Sequence, residues 1–249
     1  MKVMTTLLNE IAHCPHVNFC IQNPSVEHPC REIVFSQSSS TVNEYQVPEP
    51  WSGRIEQAPI LFLSSNPSIS SVEDYPRWSW SDDAIDDFFN NRFGGGRRLW
   101  ILDGRKSLQK DGTYSGSVKF WSAVRQRAIE LFQRNVTPGS DYAITEIVHC
   151  KSVSEIGVQE AQKHCVENYL KKVLEISSAR VVVVLGDRAK KAMQHEFNIP
   201  KDVSLFGPIA IGDREKLITF LPHPNARCIR TFADCLNSDE LESLRAFLR

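Results

Sequence analysis

The sequence holds little that would draw it to a membrane or, through overall charge, to a polyanion. No apolar run reaches the length that spans a bilayer, and 29 Lys and Arg against 30 Asp and Glu leave a formal net charge of -1. Any contact with nucleic acid must therefore come from a local basic patch. No G-x-G-x-x-G or P-loop follows a strand-like run, and the Gly94-Gly-Gly triplet sits in a polar segment instead, which weakens a nucleotide-cofactor reading. Met1 to Leu8 shows neither a long apolar stretch nor a small-residue cleavage site, so a cytoplasmic location is expected. The seven cysteines include no C-x-x-C pair; in a reducing compartment an odd set reads as thiols or metal ligands, not disulfides.

What is present fits one globular domain. At 249 residues, 41% hydrophobic and 24% charged, the chain can bury a large core without needing a second domain. Apolar, β-branched runs at Pro59 to Ser64, Tyr142 to His149, Arg180 to Leu185 and Lys216 to Leu221 read as buried strands. Helical patterns cover Lys119 to Gln133, Val158 to Ser177, Asp187 to Phe197 and Ser238 to Leu248. Strands alternating with helices predict an α/β fold, three layers α/β/α around a central, mainly parallel four-stranded sheet. We expect an N-terminal extension, 1–56, and a polar, basic insertion, 81–117, on a single domain, 1–249, that acts as a monomer.

In such sheets sites collect at the carboxyl ends of the strands. Two fragments stand there. Leu63-Ser-Ser-Asn-Pro-Ser follows the first strand and Leu221-Pro-His-Pro-Asn-Ala-Arg227 the last, so Asn66 and His223 meet at one rim. Taken alone, Asn66 also reads as a simple Asx turn. Together the fragments resemble the uracil-DNA glycosylase superfamily, whose first motif has the form G-x-N-P-G in some branches and whose last has H-P-S followed closely by Arg. Asn66-Pro67, His223-Pro224 and Arg227 match; Ser64, Ser68 and Asn225 depart. Val181-Val-Val-Val-Leu-Gly186 is similar to the family's V-x-x-L-G strand, and Phe120-Trp121 to a helix-start pair. The resemblance covers roughly residues 57 to 230.

The resemblance implies a monofunctional DNA glycosylase that flips a base from single- or double-stranded DNA and hydrolyses its bond to the sugar. Asn66 would position the attacking water, and His223 would stabilise charge on the departing base. Ser65, Ser68 and Arg227 would line the substrate. A count from the first motif puts the stacking aromatic at Trp78, with Tyr75 and Trp80 as alternatives; Trp78 also reads as a packed aromatic. Glu146 stands where the iron-sulfur branch carries an asparagine that reads uracil. An ionised carboxylate only accepts hydrogen bonds, so it suits an amino group such as that of cytosine, unless it points away or makes an ion pair.

A damaged or modified pyrimidine is therefore expected, such as glucosylated hydroxymethylcytosine in defence against phage. The alternatives are uracil excision in repair and a module that binds DNA without cutting. Arg92, Arg97, Arg98, Arg105 and Lys106 in the insertion would grip phosphates, or form a solvated loop. Cys150 and Cys165 match the last two ligands of the iron-sulfur branch, and Cys14 with Cys30 would complete a set for a 4Fe-4S cluster or zinc. Cys20 competes as a ligand, Cys228 and Cys235 fall outside the pattern, and buried free thiols are the alternative.

Overall fold

The computed structural model of the protein describes residues 2–39, 41–227 and 231–249; Cys228 lies outside the described residues. The described strands are β1 (Ile60–Ser64), β2 (Ile101–Leu102), β3 (Lys106–Ser107), β4 (Tyr142–Glu146), β5 (Val181–Leu185), β6 (Leu205–Ile211) and β7 (Arg214–Leu221). The helices are α1 (Lys2–Ala12), α2 (Pro15–Gln22), α3 (Arg31–Phe35), α4 (Asp82–Asn90), α5 (Lys119–Phe132), α6 (Val158–Cys165), α7 (Lys171–Ile176), α8 (Asp187–Glu196), α9 (Phe232–Cys235) and α10 (Ser238–Leu248). A π-helical turn, Val166–Leu170, joins α6 to α7. None of these helices is long and apolar enough to cross a membrane.

The main sheet has five strands in the order β4-β1-β5-β7-β6. The first four run parallel and β6 is antiparallel to β7. This corrects the expected four strands by one. The extra strand, Leu205-Phe-Gly-Pro-Ile-Ala-Ile, carries Gly-Pro and is largely open to solvent, so no continuous apolar run marks it. Proline lacks the N–H that a central strand must donate, and the edge position with its register shift between Phe206 and Ile209 accommodates it.

Side chains alternate across the central strands, as a period of two requires. Leu61, Leu63, Val182, Val184 and Ile218 face one buried cluster with residues of α1 to α4 and α6 to α8, including Leu8, Ile33, Phe88, Ala161 and Met193. Ile60, Phe62, Val181, Val183 and Leu217 face the other, with Val124 and Leu131 of α5, Phe232 of α9 and Leu244 of α10. Each face of the sheet is thus covered, giving the three layers. Residues 81–117 are more than a loop: Ile85, Phe88 and Phe89 of α4 are buried, and β2 pairs with β3 as a short hairpin.

Candidate functional site

The register of the parallel strands aligns Ser64 with Glu146 and Leu185 with Leu221, so four chain exits gather along one edge. A cleft of about 390 Å³ opens there, lined by Ser65, Asn66, Ser68, Glu146 and His223 together with Phe120, Trp121, Lys151, Ser152 and Glu155. Crevices of this kind form where β1, the first strand, sends its successors to opposite sides, here β4 and β5.

Asn66 Nδ2 donates to Ser152 Oγ at 2.9 Å and to the Pro67 carbonyl at 3.1 Å. Both amide hydrogens are engaged, which leaves Oδ1 as an acceptor for a water molecule. The Asn225 N–H donates to His223 Nδ1 at 3.2 Å; that bond assigns the ring proton to Nε2, so the imidazole offers a donor from its other side. Burial lowers the His223 pKa, with Lys119 acting in the same direction and Glu155 against it, and the neutral donor form is favoured. The ring stacks on Phe120 with centroids 5.6 Å apart. Beneath it, Gly186 at φ +87° leaves no room for a side chain: a Cβ there would lie 3.0 Å from that of His223.

The cleft floor is a buried charge network. Arg92, 1% exposed, donates to Glu49 at 2.6 Å, Ser52 at 2.7 Å and Glu73 at 2.8 Å. Lys151 Nζ lies 3.2 Å from Glu73 Oε2 and 3.4 Å from the centroid of the Tyr75 ring. Tyr75 OH donates to Glu49 Oε2 at 3.2 Å. Burial alone would raise Glu73, but Lys151 and Arg92 outweigh it and hold the carboxyl below its ordinary value. Glu146, 5% exposed, has no such partner: its Oε2 is buried without a hydrogen bond among the described residues. Burial, reinforced by Glu49, pushes its pKa well above the usual carboxylate range against the pull of Arg92 and Lys151. The sequence led to an acceptor-only carboxylate; in the fold, burial favours the protonated form, which would add one donor to the remaining acceptor capacity.

Other expectations land elsewhere. The Trp78 backbone N–H donates to the Tyr45 carbonyl, and its ring sits edge-on to His13, centroids 5.0 Å apart, outside the cleft lining. Tyr75 is buried within the floor and Trp80 packs on Phe88 and Trp100; the lining aromatics are Phe120 and Trp121. Counting residues across a variable loop led to an aromatic outside the cleft lining, whereas the Phe120-Trp121 pair, which stood out in the sequence, lines it. Arg92 cannot grip phosphate, because its guanidinium is consumed by the floor. Arg97 is exposed, Arg98 pairs with Asp74 at 3.1 Å with 61% of its side chain exposed, and Arg105 pairs with Asp103 at 3.7 Å. Lys106 precedes Ser107, which lines the cleft. Arg227 is exposed and outside the lining. Glu49, Glu73, Lys151 and Glu155 carried no sequence signal, since their partners lie up to 90 residues away.

Cys14, Cys30, Cys150 and Cys165 are free, buried thiols in one hydrophobic cluster. Burial raises the Cys150 pKa, and Cys165, Cys14 and Cys30 raise it further, so the four lie within electrostatic reach of one another. Among the described residues no group of three or more His, Cys, Asp or Glu side chains is placed to hold a single metal ion. Four gathered thiols suit the donor chemistry of an iron–sulfur cluster, a larger group.

No curated protein matches the chain. The model of the uracil DNA glycosylase superfamily matches residues 50–248, the span that holds every described strand and, apart from Glu49, the lining of the cleft. Such membership implies DNA glycosylase activity in general. The chain belongs to the uracil DNA glycosylase superfamily.

Proposed function

We propose that the protein flips a modified cytosine out of DNA and hydrolyses the bond between base and sugar. The observation that carries this reading is Glu146, buried on the cleft floor with an unpartnered oxygen. A cytosine edge offers Glu146 an amino donor in either protonation state of the carboxyl. A uracil edge offers its carbonyl oxygen there, which only the protonated form can satisfy. Where the carboxyl is ionised, an acceptor left facing the uracil acceptor loses about 1–3 kcal/mol. The cleft, about 390 Å³, falls in the range of pockets that hold drug-sized ligands. Ser70, Ser107, Gln109 and Ser115 line it and offer partners to a polar substituent such as a glucosylated hydroxymethyl group, which supports a role in defence against phage.

In this reading Phe120 or Trp121 stacks on the base, worth about 1–3 kcal/mol. Asn66 Oδ1 holds the water, and the His223 Nε2–H meets the negative charge that develops on the base. Arg97, Arg98, Arg105 and Lys106 hold flanking phosphates, and the protein works as a monomer in the cytoplasm. Cys14, Cys30, Cys150 and Cys165 would hold an iron–sulfur cluster, which when bound would tie together the segments that carry them; iron and acid-labile sulfide assays on purified protein test this.

The decisive experiment incubates the protein with duplexes and single strands bearing uracil, cytosine, hydroxymethylcytosine or its glucosylated form, and scores abasic sites by alkaline cleavage. Abasic sites on modified cytosine are expected, with Asn66→Ala lowering kcat by about 10²–10³-fold while DNA binding persists. Release of uracil alone would return the protein to repair. Tight DNA binding without release of any base would make it a binding module.

A further inference from the structure

The turn Val153–Ile156, between Lys151 and α6, holds two consecutive non-glycine residues in the left-handed region, Ser154 at φ +51° and Glu155 at φ +61°. The Ile156 N–H closes it onto the Val153 carbonyl at 3.0 Å. Turns with both central residues at positive φ ordinarily take Asn, Asp or Gly. Strain of this kind persists only where the surroundings over-determine it, and it gathers at functional sites. The surroundings here are plain. Before the turn, Ser152 bonds through its N–H to the Pro67 carbonyl at 3.1 Å; after it, Gly157 packs against the backbone of Ile33 so closely that a Cβ would not fit.

The turn delivers the Glu155 carboxylate to the first motif. Ser65 Oγ donates to Glu155 Oε1 at 3.3 Å, and Arg188 Nη2 lies 3.6 Å from Oε2. A second, open groove of about 520 Å³, lined by Gly186, Arg188, Lys191, Gln159 and Gln162, meets the cleft at Ser65, Glu155 and His223. With the base on Glu146 in the cleft and the strand leaving through the groove, the sugar falls at that junction. Glu155 keeps acceptor capacity beyond its two partners, since an ionised carboxylate has about four lone-pair sites.

We propose that Glu155 is a further catalytic residue, the carboxylate that takes the proton of the attacking water. This rests on the glycosylase reading above. The water oxygen bonds to C1′ of the sugar, and one water proton passes to Glu155 while Asn66 Oδ1 orients the other. The bond from C1′ to the base breaks with its electron pair going to the base, where the His223 Nε2–H steadies it. Glu155 then returns its proton to the base through solvent, so that one water is consumed and no other reactant is needed. Before the proton moves, the same charge faces the sugar as it becomes positive.

The test is single-turnover release on the DNA that the unmodified protein cuts. Glu155→Gln, which keeps shape and hydrogen bonding but not basicity, is expected to slow release about a hundredfold with DNA affinity and Tm unchanged; Glu155→Ala is expected to regain rate when formate is added. Full activity in Glu155→Gln would overturn the proposal and leave the glycosylase reading standing. A loss that formate does not relieve, accompanied by weaker DNA binding or lower Tm, would overturn it in favour of a structural partner for Arg188. If the unmodified protein releases no base at all, the reading and the proposal fall together.

Discussion

Glu146 shows how one side chain can be specified by position and redefined by surroundings. At the end of β4, beside Ser64, it faces the cleft as strand register requires, yet the two cations of the floor are already engaged by Glu49 and Glu73. Its folded pKa is raised, so the native state keeps a proton that the unfolded chain releases above the ordinary carboxylate range. Stability that this group contributes in acid is therefore lost as pH rises through and beyond that range. Glu146→Gln cannot titrate. Its Tm should exceed that of the unmodified protein by an amount that grows from about pH 4.5 to about pH 7.5; parallel Tm curves across that window would contradict the assignment. The meeting of Asn66 and His223 at one rim was legible from their two strand-end motifs taken together, since Asn66 alone also reads as an Asx turn. The raised pKa of Glu146 was not, because burial and distant charges cause it.

At the scale of elements, the floor joins four pieces of chain: the segment before β1 through Glu49 and Ser52, the loop after β1 through Glu73 and Tyr75, the turn after α4 through Arg92, and the turn after β4 through Lys151. The segment before β1 is fixed independently, since Glu49 and His149 exchange backbone and ring hydrogen bonds at 2.8 Å. Arg92 is the joint of this arrangement. Removing it leaves buried Glu49 without its cation and Glu73 with Lys151 alone, so Arg92→Ala should destabilise the protein by about 3–5 kcal/mol in urea denaturation and lower activity through a loosened floor. A loss below about 1 kcal/mol would place the pair in the weak class of surface bridges. The sequence shows residues 81–117 as polar, with acidic and basic side chains in equal number, which reads as a loop; the apolar spacing of Ile85, Phe88 and Phe89 is the signal for α4.

For the whole molecule, a net charge of -1 means that DNA is held by a few placed cations. Arg98, with 61% of its side chain exposed, is the test: Arg98→Ala should reduce the salt slope of DNA binding by about 1, as loss of one phosphate contact requires. Fluorescence anisotropy across a salt series measures it, and an unchanged slope would remove Arg98 from the interface. By itself the sequence determined the α/β class, the central strands and the positions of Asn66 and His223, because strand runs, helix periods and strand-end motifs are local patterns. Tertiary structure alone decided the fifth strand, the aromatics of the cleft, the raised pKa of Glu146 and the arrival of Glu155 beside Ser65. Each depends on groups that meet only when the chain closes, where burial sets the strength of charge and packing sets which side chain reaches the cleft.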